Sequence, residues 1–332
     1  MSCSQPFLMI PKNKNNFYTY KLNPTKYYVP CGYCLNCRVD KRNQLQDRCE
    51  QELINYKCGT FLTVTYDDYH IVDLLRHDEK GNLNATLSKK DTKQFLDRLR
   101  HNIKNNMPDN LLCNHKFKYL VVGEYGGDGQ IFDRPHMHFL FFGLDFAYCK
   151  KQFEKAWQGR GMIKILPILN GGISYVLKYL DKQLFGNQAY EKYTKNNIEK
   201  PFQNHSVGLG NSLYKNQIDY IKKTNGSYRW KGKDRPVPPY YKNKYLIASD
   251  YKKAYQESIN KYKLINGSLP KNQYDLHDFK IQQNILREQN LNHKIFMSGR
   301  PMYFNSHRPL SSSQKEYVSS LAKQCLNAII PF

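Results

Sequence analysis

Apolar and polar positions alternate in three short stretches, and they recur at helical spacing between them. Thr60 to Tyr66 alternates β-branched and aromatic residues with polar ones, as a strand does. Ser88-Lys-Lys-Asp91 resembles a capping box, and Phe95, Leu96, Leu99 and Ile103 follow at helical intervals. Phe117 to Glu124 reads as a second strand. A glycine-rich connection from Gly126 leads to Pro135, and His136 to Phe142 reads as a third strand, most simply antiparallel to the second. A helix over about 147–158 carries Phe153 and Trp157, and a strand runs from Met162 to Ile168. A last helix opens after Gly171-Gly172 and is expected to reach about Leu184. The order β-α-β-β-α-β-α predicts an α+β fold, the ferredoxin-like split βαβ arrangement with one further helix.

Three regions follow from this pattern: 1–58, an irregular arm with a cysteine-rich element and a helical stretch to about Tyr56; 59–200, the α+β core; and 201–332, basic loops followed by a helical extension. In the extension, Tyr251 to Ile265 and Tyr317 to Ile330 are amphipathic. The chain shows no internal repeat.

Composition adds a partner class. Lys and Arg number 51 against 28 Asp and Glu, a formal charge of +23, and such an excess favours polyanions. The 27 tyrosines suit surfaces on which bases stack while phosphates are neutralised, so nucleic acid is the expected partner. With 40% hydrophobic residues the chain can build a core, which excludes wholesale disorder. The longest early apolar run, Phe7 to Ile10, is too short for a signal-peptide core. No stretch approaches the roughly 20 apolar residues of a membrane span, so a cytosolic, soluble protein without membrane partners is expected. Nine cysteines without an export signal read as metal ligands or buried thiols rather than disulfides.

Three constellations can carry chemistry. His136 and His138, two apart on a strand, leave one face about 6.7 Å apart along the chain and can converge on a cation. Met137, Phe139 and Phe141 turn to the core, and Glu124 on the partner strand can add a carboxylate from across the hairpin. Tyr175 and Tyr179 lie at i and i+4, on one side of a helix, and each is followed three residues later by a lysine, Lys178 and Lys182. A phenolate can attack a phosphodiester and keep the phosphate covalently. Cys31, Cys34 and Cys37 form two Cys-X-X-Cys steps able to chelate Zn²⁺ if Cys49 or Cys58 completes a tetrahedron. Each constellation also has a plainer reading: stacked strand histidines, an ordinary amphipathic helix, and reduced thiols at a helix start with Arg38, Lys41 and Arg42 contacting DNA.

Taken together, Phe61-Leu-Thr-Val-Thr-Tyr66, the stretch from Gly123-Glu-Tyr-Gly126 to Gly143, and the Tyr175/Tyr179 pair resemble the HUH endonucleases. The arrangement is most similar to the replication initiators of small single-stranded DNA phages of the microvirus family, the gokushovirus group. That resemblance implies that His136 and His138 are metal ligands with Glu124 as the third, Asp145 and Asp133 being weaker candidates. Mn²⁺ or Mg²⁺ would be the catalytic ion. Tyr175 and Tyr179 would be the nucleophiles of a rolling-circle initiator that nicks one strand, retains a 5′-phosphotyrosine, frees a 3′-OH and later rejoins the displaced strand.

Arg134, Lys178 and Lys182 are then expected at phosphates, and Arg38, Arg42, Arg229, Lys231 and Lys233 on DNA more broadly. The partners implied are single-stranded DNA and the origin of the replicative form, in the cytoplasm of a bacterial host. No phosphate-binding loop of the Gly-X-X-X-X-Gly-Lys-Ser/Thr type occurs, so a host helicase and polymerase are expected alongside. A relaxase or transposase with the same chemistry, or a non-catalytic basic nucleic-acid binder, are the alternatives.

Overall fold

A computed structural model describes residues 3–9, 27–126, 134–169, 171–180, 184–224, 226–271 and 273–297. In chain order the main elements are β1 (Phe7–Met9), β2 (Tyr27–Val29), α1 (Leu35–Tyr56), β3 (Gly59–Thr65), β4 (Leu75–His77), β5 (Leu83–Ala85) and α2 (Lys89–Asn106). Next come β6 (Cys113–Tyr125), β7 (Pro135–Leu144), α3 (Lys150–Trp157), β8 (Ile163–Pro167), α4 (Gly172–Lys178) and β9 (Phe202–His205). The chain continues with β10 (Ser227–Trp230), β11 (Lys233–Pro236), α5 (Pro239–Tyr245), α6 (Ala248–Asn266) and α7 (Gln273–Met297). The chain divides into two compact units: a continuous one, Leu45–Leu213, and a discontinuous one joining the residues before Leu45 to those from Tyr214 onward.

The continuous unit is built on a five-stranded sheet in the order β8-β3-β7-β6-β9, with every neighbouring pair antiparallel. Without the edge strand β9, the order 4-1-3-2 in sequence terms is that of the expected split βαβ fold. Alternation decides what each strand gives to each face. Leu62, Val64, Met137, Phe139 and Phe141 enter one core with Phe95, Leu99, Phe153 and Trp157 from α2 and α3. Leu120, Val122, Leu140 and Phe142 enter a second core with Ile173, Val176 and Leu177 of α4 and Leu45 and Cys49 of α1. Both faces of the sheet are therefore covered, and the histidine face is not the open surface that the strand pattern suggests.

Ser88 caps α2 by accepting a hydrogen bond from the Asp91 N–H (3.0 Å), as its sequence predicts. The expected long helix after Gly171-Gly172 is shorter, because α4 ends at Lys178 and the next backbone bonds tighten to i→i−3 (Tyr179 N–H to Val176 C=O, 3.3 Å; Leu180 N–H to Leu177 C=O, 3.2 Å). In the discontinuous unit the arm expected to be irregular contributes an antiparallel ladder, β1 with β2. The basic loop is a hairpin, β10 with β11, whose tip Lys231-Gly232 takes positive φ (47° and 75°), the requirement of a two-residue primed turn. Tyr214 packs among Tyr228 and Tyr241, with ring centroids 5.1 and 4.2 Å away. The Tyr251–Ile265 segment lies within α6, while Tyr317–Ile330 lies outside the described residues. Among the described residues no helix is long and apolar enough to cross a membrane.

Candidate active site

Strand β7 lies between β3 and β6, so its histidines are flanked from both sides. Register sets Glu124 directly opposite His136, and on the other side it sets Thr63 opposite His138. One carboxylate oxygen, Glu124 Oε1, stands 3.0 Å from His136 Nε2 and 3.1 Å from His138 Nε2. The far nitrogens are held as well: His136 Nδ1 lies 3.0 Å from the Arg134 carbonyl oxygen, and His138 Nδ1 lies 2.9 Å from Thr63 Oγ1. Gly126 leaves room for this, since a Cβ there would stand 2.7 Å from His136 Cε1.

The partners settle what the rings can present. A carbonyl oxygen only accepts, so His136 Nδ1 carries the proton, and the neutral ring turns a lone pair from Nε2 toward the Glu124 carboxylate. A lone pair facing an anion at 3.0 Å is repulsive unless a positive charge stands between them. Two imidazole nitrogens and a carboxylate, their ligand atoms within 4.8 Å of one another and their outer nitrogens tethered, form a donor set that fits a divalent cation. Burial would raise the Glu124 carboxyl, but the hydrogen bonds and positive charge of His136 and His138 outweigh it and hold the group below the usual carboxylate range.

The two tyrosines close over this set. The Tyr179 ring stacks on His138 at 4.7 Å and 3°, and its hydroxyl donates to the Tyr175 hydroxyl at 2.5 Å. Tyr175 is 47% exposed and packs edge-on against Phe61 and His138, whereas Tyr179 is 9% exposed. Burial pushes the Tyr179 phenol well above its ordinary value, and the bond to Tyr175 and the Glu124 charge push the same way. The 3.6-residue period of α4 and the tightened turn after it place both phenols on the sheet side of the helix.

Other expected site residues lie elsewhere. Lys178 is exposed at the end of α4, and Lys182 and Asp133 lie outside the described residues. Asp145 is not a third ligand: seven residues beyond His138, its carboxylate accepts the Ala147 and Tyr148 N–H groups at 2.9 and 2.8 Å. Arg134 meets protein groups, donating to the Tyr66 carbonyl at 2.7 Å and pairing with Asp68 at 2.5 Å, so it braces the backbone that presents His136. Arg229, Lys231 and Lys233 are exposed on the β10–β11 hairpin, with Arg229 standing 3.6 Å from Asp234, while Arg38 and Arg42 are half-buried on α1. Cys49 is fully buried among apolar side chains, and the thiol that joins Cys31, Cys34 and Cys37 is Cys3. Thr63 escapes sequence reasoning because a β-branched residue in a strand needs no further explanation; its parity with Phe61 and Thr65 is the available signal.

Residues 59–184 match the family model of replication-associated proteins of the ORF2 type. The replication-associated protein VP4 of Bdellovibrio phage phiMH2K is 26% identical over 237 residues, covering 66% of this chain and 68% of that protein. The replication-associated protein ORF2 of Spiroplasma virus 4 is 26% identical over 176 residues, covering 47% of this chain and 48% of its own length. No solved structure matches the chain. The family match opens at the first residue of β3 and runs past Tyr179, so it contains every strand and helix that builds the site, and there the chain resembles the replication-associated proteins of phages.

Proposed function

We propose that this protein initiates phage genome replication by nicking one DNA strand through tyrosine attack. The observation that carries the reading is the Tyr179 ring stacked on His138 with its hydroxyl bonded to Tyr175, which brings two phenols to one three-ligand set. Glu124, His136 and His138 are the residues that would hold a divalent ion; two imidazoles favour Mn²⁺ over Mg²⁺. Bound there, such an ion would polarise a scissile phosphate.

The chain's own groups do the rest. A tyrosine oxygen forms the new bond to phosphorus while the P–O3′ bond breaks, so the enzyme keeps a 5′-phosphotyrosine and the leaving oxygen takes a proton to become the priming 3′-OH. Half-exposed Tyr175 is the better placed for the first attack. Buried Tyr179, whose proton is held more tightly, suits the second, after which the freed 3′-OH displaces the first phosphotyrosine and closes a circle. Lys178 and Lys182 are assigned to the phosphate, and the basic hairpin and α1 arginines to the flanking strand. In this reading residues 59–200 cut and rejoin, 1–58 and 201–332 bind DNA, and a bacterial host supplies helicase and polymerase in its cytoplasm.

The test is incubation of the full chain with Mn²⁺ and circular single-stranded phage DNA carrying the origin, followed by a denaturing gel. Nicked strand covalently attached to protein is expected. DNA retained without adduct would instead mark a non-catalytic binder, and adduct formed only on transfer-origin or transposon-end DNA would mark a relaxase or transposase.

A further inference from the structure

A second group of ligand-type side chains lies in the discontinuous unit, apart from the nicking chemistry. Cys3, Cys31, Cys34 and Cys37 bring their sulfurs within 4.8 Å of one another, with Cys3 and Cys34 buried and the other two half-buried. Cys34 Sγ and Cys3 Sγ stand 3.9 Å apart, far beyond a disulfide of about 2.05 Å. Bonds of about 2.3 Å from Zn²⁺ to sulfur place two sulfurs of a tetrahedron about 3.8 Å apart. Backbone donors already point at the sulfurs: the Cys34 N–H donates to Cys31 Sγ at 3.3 Å, and the Cys31 N–H donates to Cys3 Sγ at 3.2 Å. Such bonds favour thiolate over thiol, as outer partners of a metal centre do. Gly32, at φ 82°, makes the tight turn that folds Cys31 back toward Cys34.

Around the thiols, segments distant in sequence are tied together. The Leu35 N–H at the start of α1 donates to Glu288 Oε1 at 2.9 Å, and the Ser4 hydroxyl donates to the same carboxylate. Asn284 donates to the Cys3 carbonyl at 3.0 Å and its own carbonyl accepts from Asn36 at 2.8 Å, while Arg287 pairs with Asp40 at 2.8 Å.

We propose that Cys3, Cys31, Cys34 and Cys37 form a closed structural Zn²⁺ site, and that this site is the hub joining the N-terminal segment, the start of α1 and α7. Four protein thiolates leave no open position, so the ion takes no part in chemistry at phosphate. Its contribution is to folding: an ion bound by the folded unit and not by the separate segments stabilises their joint arrangement.

The test uses the full chain expressed in zinc-replete medium. Metal analysis is expected to find one zinc that survives gel filtration, and Co²⁺ replacement should show thiolate-to-cobalt charge transfer, which the Glu124/His136/His138 set cannot produce. Cys3→Ser should lose both signals, Cys49→Ser should keep both, and Cys3→His should restore zinc binding if the Ser variant folds poorly. Chelation should expose residues 27–44 and 273–297 to protease together. Zinc retained equally by Cys3→Ser, disulfides among the four cysteines, or a proteolysis pattern unmoved by chelation would each overturn the assignment.

Discussion

The two clusters of ligand-type residues are assembled in opposite ways. In the sheet, strand register brings Glu124 and His136 face to face from a hairpin, and the ligands are one carboxylate and two imidazoles with their outer nitrogens tethered. In the other unit, four thiols converge from a terminal segment and a helix start, where no ladder dictates the meeting. The first kind suits an ion that must also meet a substrate, because its ligand number is incomplete; the second suits an ion that only holds chain together. Rigidity is inherited from the sheet in one case and created by the ion in the other.

The largest effects should separate the clusters outright. His136→Ala with His138→Ala should abolish Mn²⁺-dependent nicking while leaving DNA binding nearly intact, since basic residues supply most of the affinity; nicking that persists under chelation would remove the sheet cluster from the chemistry. Tyr175→Phe with Tyr179→Phe should bind DNA and form no covalent adduct on a denaturing gel. Either single Phe variant should retain one round of cleavage and fail at circle release.

A smaller effect probes the tethers. Thr63→Val keeps the shape of the side chain and removes the hydroxyl on His138 Nδ1, and loss of an outer hydrogen bond of this kind weakens metal affinity by about 10-fold. Calorimetric titration with Mn²⁺ reads it, and an unchanged affinity would leave Thr63 as a strand former only.

Acid sharpens the comparison further. The Glu124 carboxyl is held below its unfolded value, about 4.3, so it contributes stability that is fully present above that value and is lost as pH falls through the lowered native one. Denaturant midpoints of the ion-free protein should therefore fall on acidification over that window, and Glu124→Gln should flatten the fall. The smallest effect belongs to the β10–β11 hairpin. Neutralising Arg229, Lys231 and Lys233 should flatten the salt dependence of single-strand binding by about 0.7 per lost phosphate contact. Arg229 should contribute least, because Asp234 already faces it.

Legibility follows the length scale of each signal. The β-α-β-β-α-β-α order and the His136/His138/Glu124 grouping are readable, since strand parity and a hairpin are local and place side chains without knowledge of the rest of the fold. The covering of that same face is not readable: Tyr179 reaches His138 because α4 returns across the sheet and ends early at Lys178, a tertiary outcome that overrides helical propensity. Thr63 needs the β3–β7 register, and Cys3 needs the closure of a segment 28 residues from Cys31. Cys49 illustrates the opposite error, nearness in sequence taken for nearness in space.

The direct opposition of Glu124 and His136 makes cation affinity a proofreader of strand pairing. If β6 slipped by one residue against β7, Gly123 or Tyr125 would face His136, and Glu124 would turn to the other side of the sheet. Any mispaired hairpin is then blind to the ion, while the native pairing gains free energy with every increment of ion concentration above the dissociation constant. An ion present as the chain folds would thus deepen the correct basin alone, and refolding yield should rise with Mn²⁺ even where DNA is absent.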